Sequence, residues 1–179
     1  MDLSKLQSDE SSPTMESIDD EKFCTSHKRE KLEKDAMKNW DKFYLRNKDH
    51  FYKDRNWSTK DLKTLCDGVQ LEENLVYLEA GCGVGNMLFP LCAEFSHFTF
   101  YGFDFSPRAL DLLRTRATTL GVSIETCVCD LTNPSCSRPL NWPYADITTV
   151  IFVLSSISPQ NYTRVLLTLK SFVKVGGVV

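Results

Sequence analysis

Leu75-Val76-Tyr77-Leu78-Glu79-Ala80-Gly81-Cys82-Gly83-Val84-Gly85-Asn86 is the stretch on which the reading of this chain turns. Residues 75–80 are apolar and β-favouring enough for a short buried strand, and glycines then follow at every second position. A strand therefore runs straight into a tight loop with almost no side chains. Glycine permits dihedrals closed to other residues and lets a ligand lie against the main chain, while the helix beyond offers free N–H groups. Glu79 adds a carboxylate at the carboxyl end of the strand. A Gly-x-Gly-x-x-Gly dinucleotide loop would occupy the same place. Here the third glycine is Gly85 rather than residue 86, and a carboxylate ahead of the loop would repel a pyrophosphate and attract an ammonium. A plain structural turn is the third reading of the loop taken alone.

Downstream, residues 87–95 read as a helix, with Pro90 expected to kink it or bring its start closer. Residues 98–104 read as a second strand ending at Asp104, 19 residues after Gly85, where a carboxylate can accept both ribose hydroxyls. Ser106 and Pro107 form an N-cap and first helical residue, opening a helix through Ala109, Leu110, Leu113 and Ala117 to Gly121. Residues 122–128 read as a third strand, and Asp130-Leu131 after it brings an acceptor and a backbone N–H to the same crevice, suiting an adenine edge. Residues 133–144 read as a loop. Residues 145–154 read as a fourth strand, nearly continuous in apolar residues, with Ile151 near its carboxyl end able to wall the pocket. Ser158-Pro159 should cap a helix reaching Val173, and Gly176-Gly177 should turn into a fifth strand. The fold class is α/β: an open, doubly wound, mostly parallel sheet of Rossmann-like type with an N-terminal helical extension.

The chain has 179 residues, 42% hydrophobic and 25% charged, which is globular composition for one domain. Residues 1–20 are acidic and polar without period and read as a disordered tail. Residues 21–69 form the helical extension and residues 70–179 the sheet domain. Within the extension, Leu32, Ala36, Trp40, Phe43 and Tyr44 mark an amphipathic helix over about residues 21–47. Ser58 and Asp61 resemble a capping box opening a short helix through Leu62 and Leu65. The net charge of −3 conceals −6 over residues 1–21, +6 over residues 22–63 and −3 over residues 64–179; the positive segment suits a polyanion, or equally is mixed-sign charge on a solvated helix. The connector at residues 50–57, with Lys53, Arg55 and Trp57, suits phosphate contact and base stacking, and a packed loop is the other reading of the same residues. The seven cysteines include no Cys-x-x-Cys pair, so no metal site is expected, and scattered reduced thiols point to the cytoplasm, with the nucleus as alternative. No membrane span is expected.

The acidic-x-Gly-x-Gly-x-Gly pattern resembles the loop with which class I S-adenosylmethionine (SAM) methyltransferases hold their cofactor. Closer still, Lys38-Asn39-Trp40-Asp41-Lys42-Phe43-Tyr44-Leu45-Arg46-Asn47, Phe51-Tyr52-Lys53-Asp54-Arg55-Asn56-Trp57, Phe103-Asp104-Phe105-Ser106-Pro107, Cys129-Asp130-Leu131-Thr132 and Ile151-Phe152-Val153-Leu154-Ser155 resemble the methyltransferase-like enzymes that form 3-methylcytidine in tRNA. The first motif is most similar to the branch acting on serine tRNAs. The resemblance implies SAM as cofactor, with Trp40 and Tyr44 folded over it. Glu79, Gly81, Gly83 and Gly85 would hold its methionine end, Asp104 the ribose, Asp130 and Leu131 the adenine, and Ile151 the ring face. Lys53, Arg55 and Trp57 are expected to touch tRNA, and a seryl-tRNA synthetase is a candidate partner. A class I sheet resembles seven strands where this sequence supplies five, so C-terminal truncation, weak SAM binding, an apolar sheet edge and ready aggregation are expected.

The chemistry asks little of acids and bases. Cytosine N3 is neutral with a free lone pair, so methyl transfer needs base exposure, alignment and removal of water. No catalytic residue is assigned; His27, His50 and His97 are isolated in sequence. Two other functions fit the residues: a catalytically silent tRNA-binding or SAM-binding module, and a SAM-dependent enzyme acting on a protein or small molecule.

Overall fold

The computed structural model describes residues 25–50, 53–55 and 59–179. The expected disordered tail, Trp57 and the Ser58 cap lie outside the described residues. The elements are α1 (Ser26–Lys34), α2 (Ala36–Asn47), α3 (Thr59–Leu65), β1 (Val76–Ala80), α4 (Leu88–Glu94), β2 (Thr99–Asp104), α5 (Pro107–Leu120), β3 (Ile124–Val128), β4 (Ala145–Thr149), α6 (Tyr162–Lys170) and β5 (Val173–Val178). The strands form one sheet in the order β3-β2-β1-β4-β5, and every pair is parallel.

Parallel strands are covered on both faces, and period-2 alternation sorts their side chains between two cores. Tyr77 of β1 and Phe100 of β2 join Leu62 of α3, Leu91 of α4 and Leu113 of α5 on one face. Leu78 and Ala80 of β1 and Phe103 of β2 join Trp142, Val165, Leu169 and Phe172 on the other. A satellite cluster of Tyr44, Val84 and Ala109, with Trp40, Phe43 and Leu112 against it, fastens α2 to the glycine loop and α5. The chain leaves β1 toward β3, then returns across to β4. The topological switch therefore falls between β1 and β4, where crevices in open α/β sheets bind ligands.

α5 follows its sequence signals closely. Ser106 Oγ accepts the Ala109 N–H, Pro107 opens the helix, and Gly121 closes it at φ 66°. Pro90 is accommodated because α4 starts only two residues earlier, within the turn where no N–H partner is lost.

Several elements differ from expectation. The single helix over residues 21–47 is divided at Asp35 (φ −91°, ψ 0°): α1 buries no side chain, whereas α2 is held by its aromatic stripe. β4 ends at Thr149, and residues 150–153 form a turn instead of continuing the strand. α6 begins at Tyr162 and ends at Lys170, leaving Phe172 to pack in the core, and Gly176 and Gly177 lie within β5. Leu65 is exposed. Cys129 and Cys136 are joined as a disulfide with Cα atoms 5.8 Å apart, which corrects the expectation of scattered reduced thiols for these two. Tight turns at Asn133 and Cys136 fold the loop back to bring them together. Cys66, Cys82, Cys92 and Cys127 are free. Among the described residues no helix is long and apolar enough to cross a membrane, and no cluster of His, Cys, Asp or Glu is assembled for a metal ion.

Candidate functional site

The switch point opens into a cavity of about 900 Å³ shared by the glycine loop, the ends of β2, β3 and β4, and the helical extension. Gly81 (φ 68°) and Gly83 (φ 52°) adopt the left-handed backbone that a side chain disfavours. A Cβ on Gly81 would come within 2.3 Å of Val153 Cγ2, and one on Gly83 within 2.7 Å of the Tyr44 hydroxyl oxygen. Bare backbone is thus what lets the exit from β4 and the helix α2 close on the loop from opposite sides. Gly85 is turned away from the cavity; a Cβ there would meet the Phe89 ring at 2.6 Å, so its place is in packing α4.

Asp104 ties the loop to β2. Its Oδ2 accepts the Gly83 N–H at 2.9 Å and its Oδ1 the Ser106 N–H at 2.8 Å. Each carboxylate oxygen keeps capacity for another donor, which suits a pair of neighbouring hydroxyls. Burial pushes its carboxyl up to about 6, and the two N–H donors oppose that rise. Glu79 is buried, lines the cavity, and leaves Oε2 without a hydrogen-bond partner. Burial, then the charge of Asp104, push the Glu79 carboxyl up to about 8, against the pull of Arg55. An unsatisfied carboxylate oxygen facing a cavity is a place for a cation that can also donate hydrogen bonds.

The extension roofs this floor. Ser106 Oγ donates to Asp41 Oδ1, latching α2 to the start of α5. Trp40 and Tyr44, with ring centroids 5.9 Å apart, line the cavity above the glycines. Residues 53–55 are docked as a unit. The Arg55 N–H donates to the Asn86 carbonyl at 2.8 Å, and Asp54 Oδ1 accepts Arg116 Nη1 at 2.9 Å and Asn86 Nδ2 at 3.0 Å. The hydrogen bond from Arg116 holds the Asp54 carboxyl below the usual range. Arg55 consequently enters the cavity, whereas Lys53 stays exposed outside it. Asp130 and Leu131 line the opposite end. Asp130 Oδ1 accepts the Thr132 N–H at 2.9 Å and the Thr132 hydroxyl at 2.7 Å, which fixes the turn after β3. Ile151 lines the wall nearby.

The methyltransferase domain family matches residues 78–179. The chain belongs to that family. It is 40% identical over 158 residues to the tRNA N(3)-cytidine methyltransferase METTL6 of Rattus norvegicus, an alignment covering 88% of this chain and 55% of the relative. It is 37% identical over 148 residues to the tRNA N(3)-methylcytidine methyltransferase trm141 of Schizosaccharomyces pombe, covering 83% of this chain and 59% of the relative. The chain thus spans little more than half the length of these relatives. In fold it is similar to an S-adenosylmethionine-dependent methyltransferase from Clostridium acetobutylicum, with a TM-score of 0.51 and 18% identity over 79% of this chain and 55% of that one.

The chain thus brings Trp40, Tyr44 and Arg55, which precede the matched residues, around one cavity with Glu79, Gly81, Gly83, Asp104, Asp130, Leu131 and Ile151, and leaves Lys53 and Gly85 out of its lining. Three contributors were not anticipated. Asp41 and Asp54 stand within the family-like motifs without an assigned role; nothing in their spacing announces Ser106 or Arg116 as partners distant in sequence. Phe152 was read as a strand residue, yet it stands at φ 58°, a left-handed conformation costing about 1–3 kcal/mol for a non-glycine residue. Its apolar neighbours gave no sign of a break in the strand.

Proposed function

We propose that this methyltransferase domain uses S-adenosylmethionine to methylate N3 of cytidine in the anticodon loop of tRNA, with serine tRNA as the substrate. The observation that carries the cofactor assignment is the unpaired, buried Glu79 Oε2 in the same cavity as Asp104 and the bare Gly81-Gly83 backbone. SAM presents an ammonium for the first, a ribose diol for the second and a narrow methionine chain for the third. It supplies an electrophilic methyl group on its sulfonium. The names of the relatives support tRNA cytidine as the acceptor.

On this reading Glu79 takes the ammonium and ionises as it does so, and Asp104 accepts the ribose hydroxyls without releasing the loop. Leu131 and Ile151 flank the adenine while Asp130 holds the turn around it. Trp40 and Tyr44 exclude water from above. The extension at residues 21–69 doubles as cofactor lid and RNA contact, with Lys53 meeting phosphate outside the cavity. The base lone pair needs no proton removed, which agrees with a cavity whose carboxylates bind and orient. A seryl-tRNA synthetase is the proposed partner and the cytoplasm the proposed compartment. The test is transfer from methyl-labelled SAM to total tRNA by the full-length protein, followed by nucleoside analysis. Label in 3-methylcytidine is expected; label only in protein or small molecules, or none at all, would overturn the proposal.

A further inference from the structure

Phe152 is difficult to explain as a packing residue. Its side chain is 70% exposed, and its backbone is left-handed although a phenylalanine gains nothing from that conformation. The turn that imposes it is fixed from several directions. Val153 is wedged against Gly81, the Phe152 carbonyl accepts the Ser155 hydroxyl at 2.9 Å, and the Val153 carbonyl accepts the Ser156 hydroxyl at 2.8 Å. The ring is therefore presented at the cavity beside the glycine loop. The guanidinium of Arg55 covers it, 4.6 Å from the ring centroid. The backbone of Arg55 is anchored through Asn86 and the neighbouring Asp54–Arg116 pair, and none of these contacts fixes its guanidinium.

We infer that Phe152 is the stacking platform for the target cytosine, and that Arg55 covers the ring face until the base arrives. This rests on the proposed function and adds the residue that positions the acceptor. A planar base fits a flat aromatic face presented at the cavity, and stacking on aromatic side chains is how bases drawn out of an RNA stack are held. The reaction strengthens the match. As the N3 lone pair forms the new N–C bond, the S–C bond breaks and its electron pair stays on sulfur; no proton moves, and the positive charge passes from sulfonium to cytosine ring. An aromatic face attracts such a cation. Arg55 already shows that the Phe152 face accepts a planar delocalised cation, and it moves aside to the RNA backbone or the base oxygen.

The full-length protein with Phe152→Leu, Phe152→Tyr or no substitution tests this, using a serine tRNA transcript and one carrying fluorescent pyrrolocytosine at the methylated position. Leucine keeps the apolar bulk and removes the ring face. Expected for F152L is a loss of about tenfold or more in kcat/KM for tRNA with the SAM Kd within about twofold, and loss of the fluorescence quenching that stacking causes. F152Y should restore both. F152L turnover and quenching like the unsubstituted protein would overturn the inference. So would an equal weakening of SAM binding, which would make Phe152 a cofactor wall. If the unsubstituted protein makes no 3-methylcytidine, the proposed function falls and this inference with it; if it does and F152L is indifferent, only the inference falls.

Discussion

Glu79 makes the site sensitive to pH, and the sign follows from its raised carboxyl. In the unfolded chain the carboxyl titrates near 4.5 and in the folded one near 8, so folding takes up a proton between those values. Stability of the cofactor-free protein should therefore fall as pH rises from about 5 to 8, with Asp104, raised from 3.8 to about 6, adding to the lower part of the window. Thermal melts across that range check it, and Glu79→Gln should flatten the upper part. Binding an ammonium beside Glu79 reverses the bias, so SAM should bind more tightly at pH 7.5 than at pH 6 and stabilise more at the higher pH. At Gly81 the left-handed backbone and the Val153 contact act together. Gly81→Ala should lower stability by about 2 kcal/mol and weaken SAM by more than about tenfold, measured by melting and calorimetry.

The helix α2 depends on the latch between Asp41 and Ser106 and on its aromatic stripe. Ser106→Ala removes the N-cap of α5, about 1 kcal/mol, and frees α2 as well, so amide exchange in residues 36–47 should accelerate beyond what the loss in global stability explains. Exchange unchanged in α2 would show the latch to be idle. Asp54→Ala should release residues 53–55 and impair tRNA methylation, measured by methyl transfer from labelled SAM to tRNA. Which elements could be read beforehand follows from where their determinants lie. α5 is specified by its own residues, Ser106, Pro107 and Gly121, and the structure matches. The end of β4 is set by Val153 packing on the distant Gly81 together with local hydroxyl contacts from Ser155 and Ser156, and the packing is not written in the apolar run, which reads as one long strand. The Gly176-Gly177 pair reads as a turn before a strand; it lies instead inside β5 as an irregularity between the pairings Ala145–Val173 and Ile147–Val178, with Gly176 at φ 85°.

The open, parallel, doubly wound sheet was legible because strands alternating with helices over short connections leave few arrangements, whereas the spatial order β3-β2-β1-β4-β5 comes from the structure. The carboxylates that gather at the switch point were legible for the same reason: each stands at the carboxyl end of a strand. What the sequence could not display is the second layer, in which Asp41, Asp54 and Phe152 fix the lid, the connector and the rim through contacts across 62 to 65 positions of chain in two of the three cases. The uneven charge has its own consequence. Lys53 is exposed beside the cavity on the positive segment, so Lys53→Ala should reduce the slope of log Kd for tRNA against log salt by about 1, with SAM binding untouched. The central proposition is that the cavity grips an adenosyl sulfonium through Glu79, the glycine backbone and Asp104. Titration calorimetry of SAM into the full-length protein at pH 7, run in buffers of different ionisation enthalpy, tests it most directly. One-to-one binding with release of close to one proton, abolished in its proton component by Glu79→Gln, is the expected result; no heat of binding, or binding indifferent to both Glu79→Gln and Asp104→Asn, would contradict it.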